Sequence, residues 1–286
     1  MITLQGRAYG KLNLTLDILG RRPDGYHDLE MVMCSVSLCD EITVRLDTGE
    51  PWSVTCDRPG IPDGPDNLCW KAAKAYLDAA DLAPEGVSVA IRKSIPAQAG
   101  MAGGSSDAAA VLRLLNGHYR RFSESQLRAV GLRVGSDVPY CLFGGIALAA
   151  GRGEVLTRLP ELPPNACFVL VKPDFAISTP ALFRTVDAVG VTARPDNRAM
   201  EAALAAGDLP AVGRLLENAF EPPVSEAFPV VQTVRRELLE LGALGARLTG
   251  TGSVVFGLFD KPETAAIAAL ALQGRYPEVH AVRATE

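Results

Sequence analysis

The stretch IPAQAGMAGGSSDAAA at residues 95–110 carries more information about the fold than any other part of the chain. It places a proline, three glycines and two serines directly before an alanine-rich segment. Glycine lets the backbone approach an anion closely, and the first N–H groups of a following helix lack intrahelical partners and carry partial positive charge. The stretch predicts a phosphate-binding loop before a helix that begins near Ser105. A serine-capped glycine turn without a ligand is the alternative.

The glycine spacing argues against two common classes of nucleotide-binding site. It fits neither the Gly-x-x-x-x-Gly-Lys-Ser/Thr pattern of Walker-type NTPases nor the Gly-x-Gly-x-x-Gly pattern of Rossmann dinucleotide sites. Ser105 and Ser106 lie at the junction of loop and helix. There their hydroxyls can cap the helix, bind a phosphate oxygen or meet a magnesium ion.

The length of 286 residues predicts two domains, because single hydrophobic cores stop growing near this size. Three prolines between residues 159 and 165 interrupt regular structure a little past the middle of the chain. We expect the boundary there, with one domain over 1–159 and the other over 160–286.

Composition narrows the class of protein further. A net charge of −5 gives no support to a broad nucleic-acid-binding surface, and the sequence has no apolar run of about 18 residues that would predict a membrane span. The first residues lack the pattern of a signal peptide, so a cytoplasmic location is expected. The six cysteines are expected to be buried free thiols, and the three histidines are too dispersed in sequence to suggest a zinc site.

Residues 11–19, KLNLTLDIL, alternate polar and apolar side chains as a half-buried strand does. The other face toward a cleft would carry Lys11, Asn13, Thr15 and Asp17, whereas the core face would carry Leu12, Leu14, Leu16 and Ile18. Further strands are predicted at 41–46, 52–56, 87–92, 144–149, 167–171, 246–248 and 253–259. Helices are predicted at 67–80, 105–115, 124–134, 180–186, 197–206 and 225–241.

Three turns contain residues that could do chemistry. Residues 24–28 form an Asp-Gly turn that exposes Tyr26 and His27 next to each other, and a solvated hairpin tip without a ligand is the alternative. Asp137 lies in a Gly-Ser-Asp-Val-Pro turn and is either a catalytic carboxylate or an ordinary turn residue. The glycine turn at 249–253 is either a second anion-binding nest or a tight turn between strands.

Taken together, the order and content of these segments resemble the GHMP kinases along nearly the whole chain. The resembling segments are the strand with Lys11 and Asn13, the turn at 25–27, and the stretches 96–106, 135–139 and 248–256. Residues 22–33, RPDGYHDLEMVM, are similar to the members that phosphorylate a cytidine-diphosphate-linked methylerythritol. The resemblance implies a two-domain α/β (α+β) protein: a ribosomal-protein-S5-like N-terminal domain and a ferredoxin-like C-terminal domain, with ATP and substrate in the cleft between them.

The resemblance also implies an activity, cofactors and site residues. The γ-phosphoryl group of ATP, with Mg²⁺, would be transferred to the 2-hydroxyl of the cytidine-linked substrate in the non-mevalonate route to isoprenoids. Asp137 would accept the proton of that hydroxyl, and Lys11 would hold Asp137 and the substrate oxygen. Asn13, Tyr26, His27 and Phe183 would bind the substrate, with the base stacked on aromatic rings. The ATP-binding residues would be Pro96, Ala97, Gln98, Ala99, Gly100, Met101, Ala102, Gly103, Gly104, Ser105 and Ser106.

Two positions depart from the family pattern. Residues 100–104 read Gly-Met-Ala-Gly-Gly where many relatives have Gly-Leu-Gly-Gly-Gly, and Ser253 stands where many relatives have proline. The loop keeps small residues where phosphates would lie, whereas the turn at Ser253 loses the rigidity of proline. The alternatives are another small-molecule kinase of the family, of homoserine or mevalonate type, and a non-catalytic nucleotide-binding relative.

Overall fold

The computed structural model describes residues 1–285, which form two compact units. Unit 1 consists of Met1–Gly10, Leu38–Ile95 and Ala102–Phe143. Unit 2 consists of Lys11–Ser37, Pro96–Met101 and the remainder from Gly144. Each unit is therefore assembled from segments that are distant in sequence.

Twelve strands and ten helices are formed within these residues. The strands are β1 (Ile2–Asn13), β2 (Thr15–Arg21), β3 (His27–Leu46), β4 (Ser53–Cys56), β5 (Val87–Arg92), β6 (Ile146–Gly151), β7 (Val155–Arg158), β8 (Cys167–Lys172), β9 (Glu217–Asn218), β10 (Gly245–Leu248), β11 (Val255–Phe259) and β12 (Glu278–Arg283). The helices are α1 (Leu68–Ala80), α2 (Gly103–Tyr119), α3 (Glu124–Val134), α4 (Val138–Phe143), α5 (Thr179–Val189), α6 (Asn197–Ala206), α7 (Leu209–Leu215), α8 (Glu221–Ala227), α9 (Val230–Glu240) and α10 (Pro262–Leu272). In residues 1–285 we find no helix long and apolar enough to cross a membrane.

Unit 1 pairs strands with a group of packed helices. The end of β3, Glu41–Leu46, pairs antiparallel with β5, and β4 pairs parallel with β5. Helices α1, α2, α3 and α4 pack against one another. Their starts follow from local sequence: Asn67 accepts a hydrogen bond from the backbone of Cys69 at the start of α1, and Ser123 forms a capping box with Gln126 at the start of α3.

Unit 2 contains strand pairs around β3 and a separate four-stranded sheet. Leu29–Cys34 of β3 pairs with β6, β6 pairs with β7, and β2 pairs with both β3 and β9. The second sheet has the order β10-β11-β8-β12, with every pair antiparallel. Helices α9 and α10 pack on it. This strand order is that of a ferredoxin-like domain, as the family resemblance implied.

Cys39 and Cys56 are half-buried, so the prediction that all six cysteines are buried was wrong for these two. Three predictions of secondary structure also need correction. The stretch 11–19 is divided between β1 and β2 at Leu14, and from residue 11 to residue 18 both the polar and the apolar side chains are buried, so it is not a half-buried strand. The predicted helix at 225–241 is two helices separated at Phe228 and Pro229, because proline lacks the N–H that a continuing helix needs. Helix α2 begins at Gly103 rather than Ser105.

Candidate active site

The first half of the glycine loop, Pro96–Met101, is held by backbone hydrogen bonds within unit 2. Ser253 N–H donates to Gln98 O at 3.3 Å, and Val254 N–H donates to Ala99 O at 3.3 Å. Gly100 has a φ of +72°, and a Cβ atom there would collide with the carbonyl oxygen of Thr249. Glycine at position 100 is therefore required both by its backbone angle and by the close approach of the second glycine turn.

We expect Gly100→Ala to lower the free energy of unfolding by about 2–5 kcal/mol, because it adds a backbone collision to an unfavourable φ. Denaturant unfolding measures the change. Gly117→Ala is the matched control, since Gly117 lies in α2 with nothing within 4 Å of an added Cβ. That variant should be neutral or more stable by about 0.5–1 kcal/mol. Equal stability of the two variants would contradict the close approach at Gly100.

The second half of the loop leads into the N-terminus of α2 in unit 1. Ala102 precedes the helix with a φ of +57°, and in residues 1–285 no side-chain hydrogen bond caps this end. Ser106 does not cap it either, because its buried hydroxyl donates to the carbonyl of Tyr9. The N–H groups of Gly103, Gly104 and Ser105 are thus the ones that an intrahelical carbonyl cannot satisfy. This end of α2 has the features of an anion site.

A buried ionic cluster that the sequence analysis missed lies beside this helix end. The Lys93 ammonium contacts Asp40 Oδ2 at 2.5 Å and Asp107 Oδ2 at 2.8 Å, and none of the three side chains is more than 4% exposed. A Cβ atom on Gly103 would lie 3.3 Å from Lys93 Nζ. The cluster therefore packs against the first turn of α2 and holds it through Asp107, which belongs to that helix.

The two carboxylates share one ammonium and are not equivalent. Asp40 Oδ1 also accepts hydrogen bonds from the backbone of Ser94 and Ile95, whereas Asp107 Oδ1 has no partner within residues 1–285. Burial raises the pKa of Asp107 to about 7 against the opposing effect of Lys93. Burial lowers the pKa of Lys93, but its two carboxylate partners outweigh this and raise it. Asp107 is therefore the member of the cluster that takes up a proton near neutral pH.

The raised pKa of Asp107 predicts a specific pH dependence of stability. A carboxyl whose pKa is higher in the folded state contributes stability that is present below its unfolded pKa of about 4 and lost as the pH rises to about 7. Asparagine does not titrate, so Asp107→Asn should not lose this stability. The free energy of unfolding of the variant minus that of the parent should therefore rise as the pH goes from 4 to 8. Urea unfolding across that range measures it, with the exposed Asp78→Asn as control. Parallel pH curves for parent and Asp107→Asn would contradict the assignment.

Lys11 and Asn13 lie together at the end of β1 in unit 2. Lys11 Nζ donates to Asn13 Oδ1 at 2.5 Å and to Gly100 O at 2.6 Å. Asn13 Nδ2 contacts Met31 Sδ at 3.2 Å, and the Asn13 N–H donates to Thr249 Oγ1 at 3.0 Å. The structure therefore brings the predicted lysine and asparagine to the glycine loop and to the second glycine turn.

The second glycine turn is fixed by a residue that the sequence analysis also missed. Asn218 is fully buried, and its Nδ2 donates to Leu248 O at 2.8 Å and to Gly250 O at 2.9 Å. Glu221 accepts a hydrogen bond from the Leu248 N–H at 2.8 Å. No local pattern marks these two residues, because their function is to satisfy backbone groups of a segment about 30 residues away.

Asp137 lies in unit 1, half-buried, immediately before α4. Its carbonyl accepts the Cys141 N–H, while Arg113 donates to the Cys141 carbonyl at 2.6 Å and so joins α4 to α2. A Cβ atom on Gly135 would lie 3.8 Å from Ser105 Oγ. The turn that carries Asp137 therefore runs beside the first turn of α2.

Tyr26, His27 and Phe183 lie in unit 2, but not in the arrangement expected from the sequence. Tyr26 is 50% exposed with the Arg152 guanidinium 3.6 Å from its ring centre. His27 is buried rather than exposed beside Tyr26, and its ring stacks on Phe183 with 4.4 Å between centres. His27 Nε2 also lies 2.7 Å from Asp187 Oδ1. The histidine is thus held by two residues of α5.

Comparison with known proteins tests the family resemblance. The family model described as "GHMP kinases N terminal domain" matches residues 67–145, and the model described as "GHMP kinases C terminal" matches residues 200–278. A 4-diphosphocytidyl-2-C-methyl-D-erythritol kinase of Geobacter sulfurreducens is 40% identical over 278 residues, which is 97% of each chain.

Two solved structures resemble the chain over nearly its whole length. A crystal structure of 4-(cytidine 5'-diphospho)-2C-methyl-D-erythritol kinase has a TM-score of 0.82 at 33% identity and covers 99% of this chain and 100% of its own. A homoserine kinase of Cytophaga hutchinsonii has a TM-score of 0.77 at 18% identity, covers 99% of this chain and 94% of its own, and shows the shared fold alone. The predicted GHMP fold and enzyme class are confirmed, and the chain belongs to the 4-diphosphocytidyl-2-C-methyl-D-erythritol kinase family of the GHMP kinases.

Proposed function

We propose that this chain transfers the γ-phosphoryl group of ATP to the 2-hydroxyl of 4-(cytidine 5'-diphospho)-2-C-methyl-D-erythritol, in the non-mevalonate route to isoprenoid precursors. The observation that carries this proposal is the closeness of the Asp137 turn to Ser105 at the N-terminus of α2, where no side chain within residues 1–285 caps the helix. A kinase acting on an alcohol needs a carboxylate close to its phosphate site, and this turn carries the Asp137 side chain. Family membership supports the choice of acceptor.

Phosphoryl transfer requires positioning and charge stabilisation more than covalent chemistry. In this proposal Asp137 accepts the proton of the attacking hydroxyl. Lys11 supplies positive charge that offsets the negative charge developing on the transferred group. Their surroundings suit these functions, because Asp137 is half-buried and the Lys11 ammonium is held by Asn13 and Gly100.

The loop Pro96–Ser106 binds the triphosphate in this proposal. Its support is the positive φ of Gln98, Gly100 and Ala102, together with the N–H groups at the start of α2. Mg²⁺ would neutralise the triphosphate, and Ser105 is the hydroxyl at this helix end whose oxygen suits such an ion. The Ser106 hydroxyl is already bonded to Tyr9 O, so its contribution is its backbone position.

The cytidine moiety is recognised by Tyr26, His27 and Phe183 in this proposal, and Asn13 contributes at the end of β1. Tyr26 offers an exposed ring, and His27 offers a fixed polar edge.

We also propose the domain boundary between 159 and 160, which the two matched ranges, 67–145 and 200–278, do not cross. A cytoplasmic location is part of the proposal, because both substrates are dissolved metabolites.

A coupled assay of ATP turnover tests this function. It compares the cytidine-diphosphate-linked methylerythritol, mevalonate and homoserine as acceptors, with and without Mg²⁺. We expect Mg²⁺-dependent turnover with the cytidine substrate and at most background with the other two. Higher kcat/KM with mevalonate or homoserine would reassign the acceptor, and no turnover with any acceptor would favour a non-catalytic nucleotide-binding protein.

A further inference from the structure

Two residues of helix α5 contact the ring of His27. Phe183 stacks against its plane, with 4.4 Å between ring centres and 19° between planes. Asp187, one turn further along α5, places Oδ1 2.7 Å from Nε2 at the ring edge. The stacking contact restrains the tilt of the imidazole, and the edge contact restrains its rotation within the plane.

When the imidazole is neutral, the contact with Asp187 also determines which ring nitrogen carries its single proton. An ionised carboxylate only accepts hydrogen bonds, so Nε2 must donate to it. In a neutral imidazole the other nitrogen, Nδ1, is then an acceptor. Of the two ring nitrogens, Nε2 is the one bonded to Asp187, so Nδ1 is the one that can accept a hydrogen bond from a ligand.

An acceptor at this position distinguishes two pyrimidines. Cytosine presents an amino group that donates, whereas uracil presents a carbonyl oxygen at the same ring position, which accepts. A carbonyl facing an unprotonated Nδ1 leaves two acceptors opposed and unsatisfied, which is how polar sites reject an otherwise similar ligand.

We infer that Asp187 is a positioning residue that makes the site selective for cytosine over uracil by holding His27 in the Nε2-protonated form. The inference rests on the proposed function, since it deepens the recognition of a cytidine diphosphate by that same site. Asp187 need not touch the base. Its effect passes through the histidine ring, which the aromatic contact with Phe183 alone could not orient in the plane.

The test compares the parent with Asp187→Asn and Asp187→Ala. The asparagine amide can either donate or accept, so it no longer fixes the tautomer, and alanine removes the edge contact. We expect the ratio of kcat/KM for cytidine- over uridine-diphosphate-linked methylerythritol to fall about tenfold in both variants, chiefly through KM of the cytidine substrate. The KM for ATP should stay within about twofold.

A control and a spectroscopic measurement separate this effect from a structural one. Glu278→Gln removes a carboxylate that faces another histidine, His280, at 4.0 Å and should leave the preference unchanged. Nitrogen-15 NMR of the ring should show His27 protonated at Nε2 in the parent and a mixture of tautomers in Asp187→Asn. A parent ring protonated at Nδ1, or a preference that survives in both Asp187 variants, would overturn the inference.

Failure of the proposed function can be told apart from failure of this inference. Titration with CDP and with UDP measures base selectivity without phosphoryl transfer. If the parent phosphorylates no acceptor but prefers CDP, and loses that preference in Asp187→Asn, the function fails and the positioning effect stands. If the parent phosphorylates the cytidine substrate and Asp187→Asn keeps the preference for CDP, the function stands and the inference fails.

Discussion

Asp137→Asn is expected to lower kcat at least about 10²-fold, because an amide cannot accept the proton of the attacking hydroxyl and a positioned general base contributes about 10²- to 10⁴-fold. The KM for both substrates should change little, since the asparagine keeps the shape of the side chain. Steady-state kinetics with the cytidine substrate measures both constants.

Folding should be preserved in this variant. The carbonyl of Asp137, not its carboxylate, accepts the Cys141 N–H, and the link from α4 to α2 uses Arg113. Asp78→Asn, which makes the same chemical change at an exposed position, is the control for charge. A kcat for Asp137→Asn within tenfold of the parent would remove Asp137 from the proposed mechanism.

Lys11→Met should also lower kcat at least about 10²-fold, since loss of one preorganised group that stabilises developing charge costs about 10²- to 10³-fold. Methionine keeps most of the length and apolar stem of lysine but lacks the ammonium that contacts Asn13 Oδ1 and Gly100 O. Because Gly100 belongs to the proposed phosphate loop, the KM for ATP should rise as well. Kinetics and calorimetric titration with ATP measure the two effects.

Two further variants sharpen this second prediction. Lys74→Met replaces an exposed lysine of α1 and should leave both constants unchanged. Lys11→Arg keeps the charge yet should not restore activity, because the ammonium lies close to Gly250: a Cβ atom added there would be only 3.2 Å from Lys11 Nζ. The planar guanidinium of arginine is larger than the ammonium and would not fit this space. Full activity of Lys11→Arg would show that charge alone matters at this position.

Features encoded in contiguous sequence could be predicted. Helix α3 begins and ends as its capping serine and apolar spacing indicate, and α6 matches its predicted range of 197–206. The division at Leu14 could not be predicted, because alternation of polar and apolar residues continues across the bend. The break before α9 carried a signal, Pro229, that predicts a helix end.

The parts of the candidate site that depend on distant contacts could not be predicted. Lys93 meets Asp40 across 53 residues, and His27 meets Asp187 across 160 residues. Within its own segment none of these residues is unusual. Lys93 follows β5, Asp40 lies within β3, and Asp187 lies in α5. Only the packing of several segments brings such groups within hydrogen-bond distance.

The backbone pairing of residues 96–101 has a consequence for nucleotide binding. The Met101 carbonyl accepts the Lys11 N–H, and the Gln98 and Ala99 carbonyls accept the N–H groups of Ser253 and Val254, so this glycine-rich segment is bonded to β1 and to the two residues before β11. These three amide protons should exchange with deuterium slowly and as one cooperative group, unlike those of an ordinary surface loop. A segment that is ordered before ATP arrives loses little conformational entropy on binding. Its affinity for phosphate is therefore higher than that of a flexible loop with the same contacts.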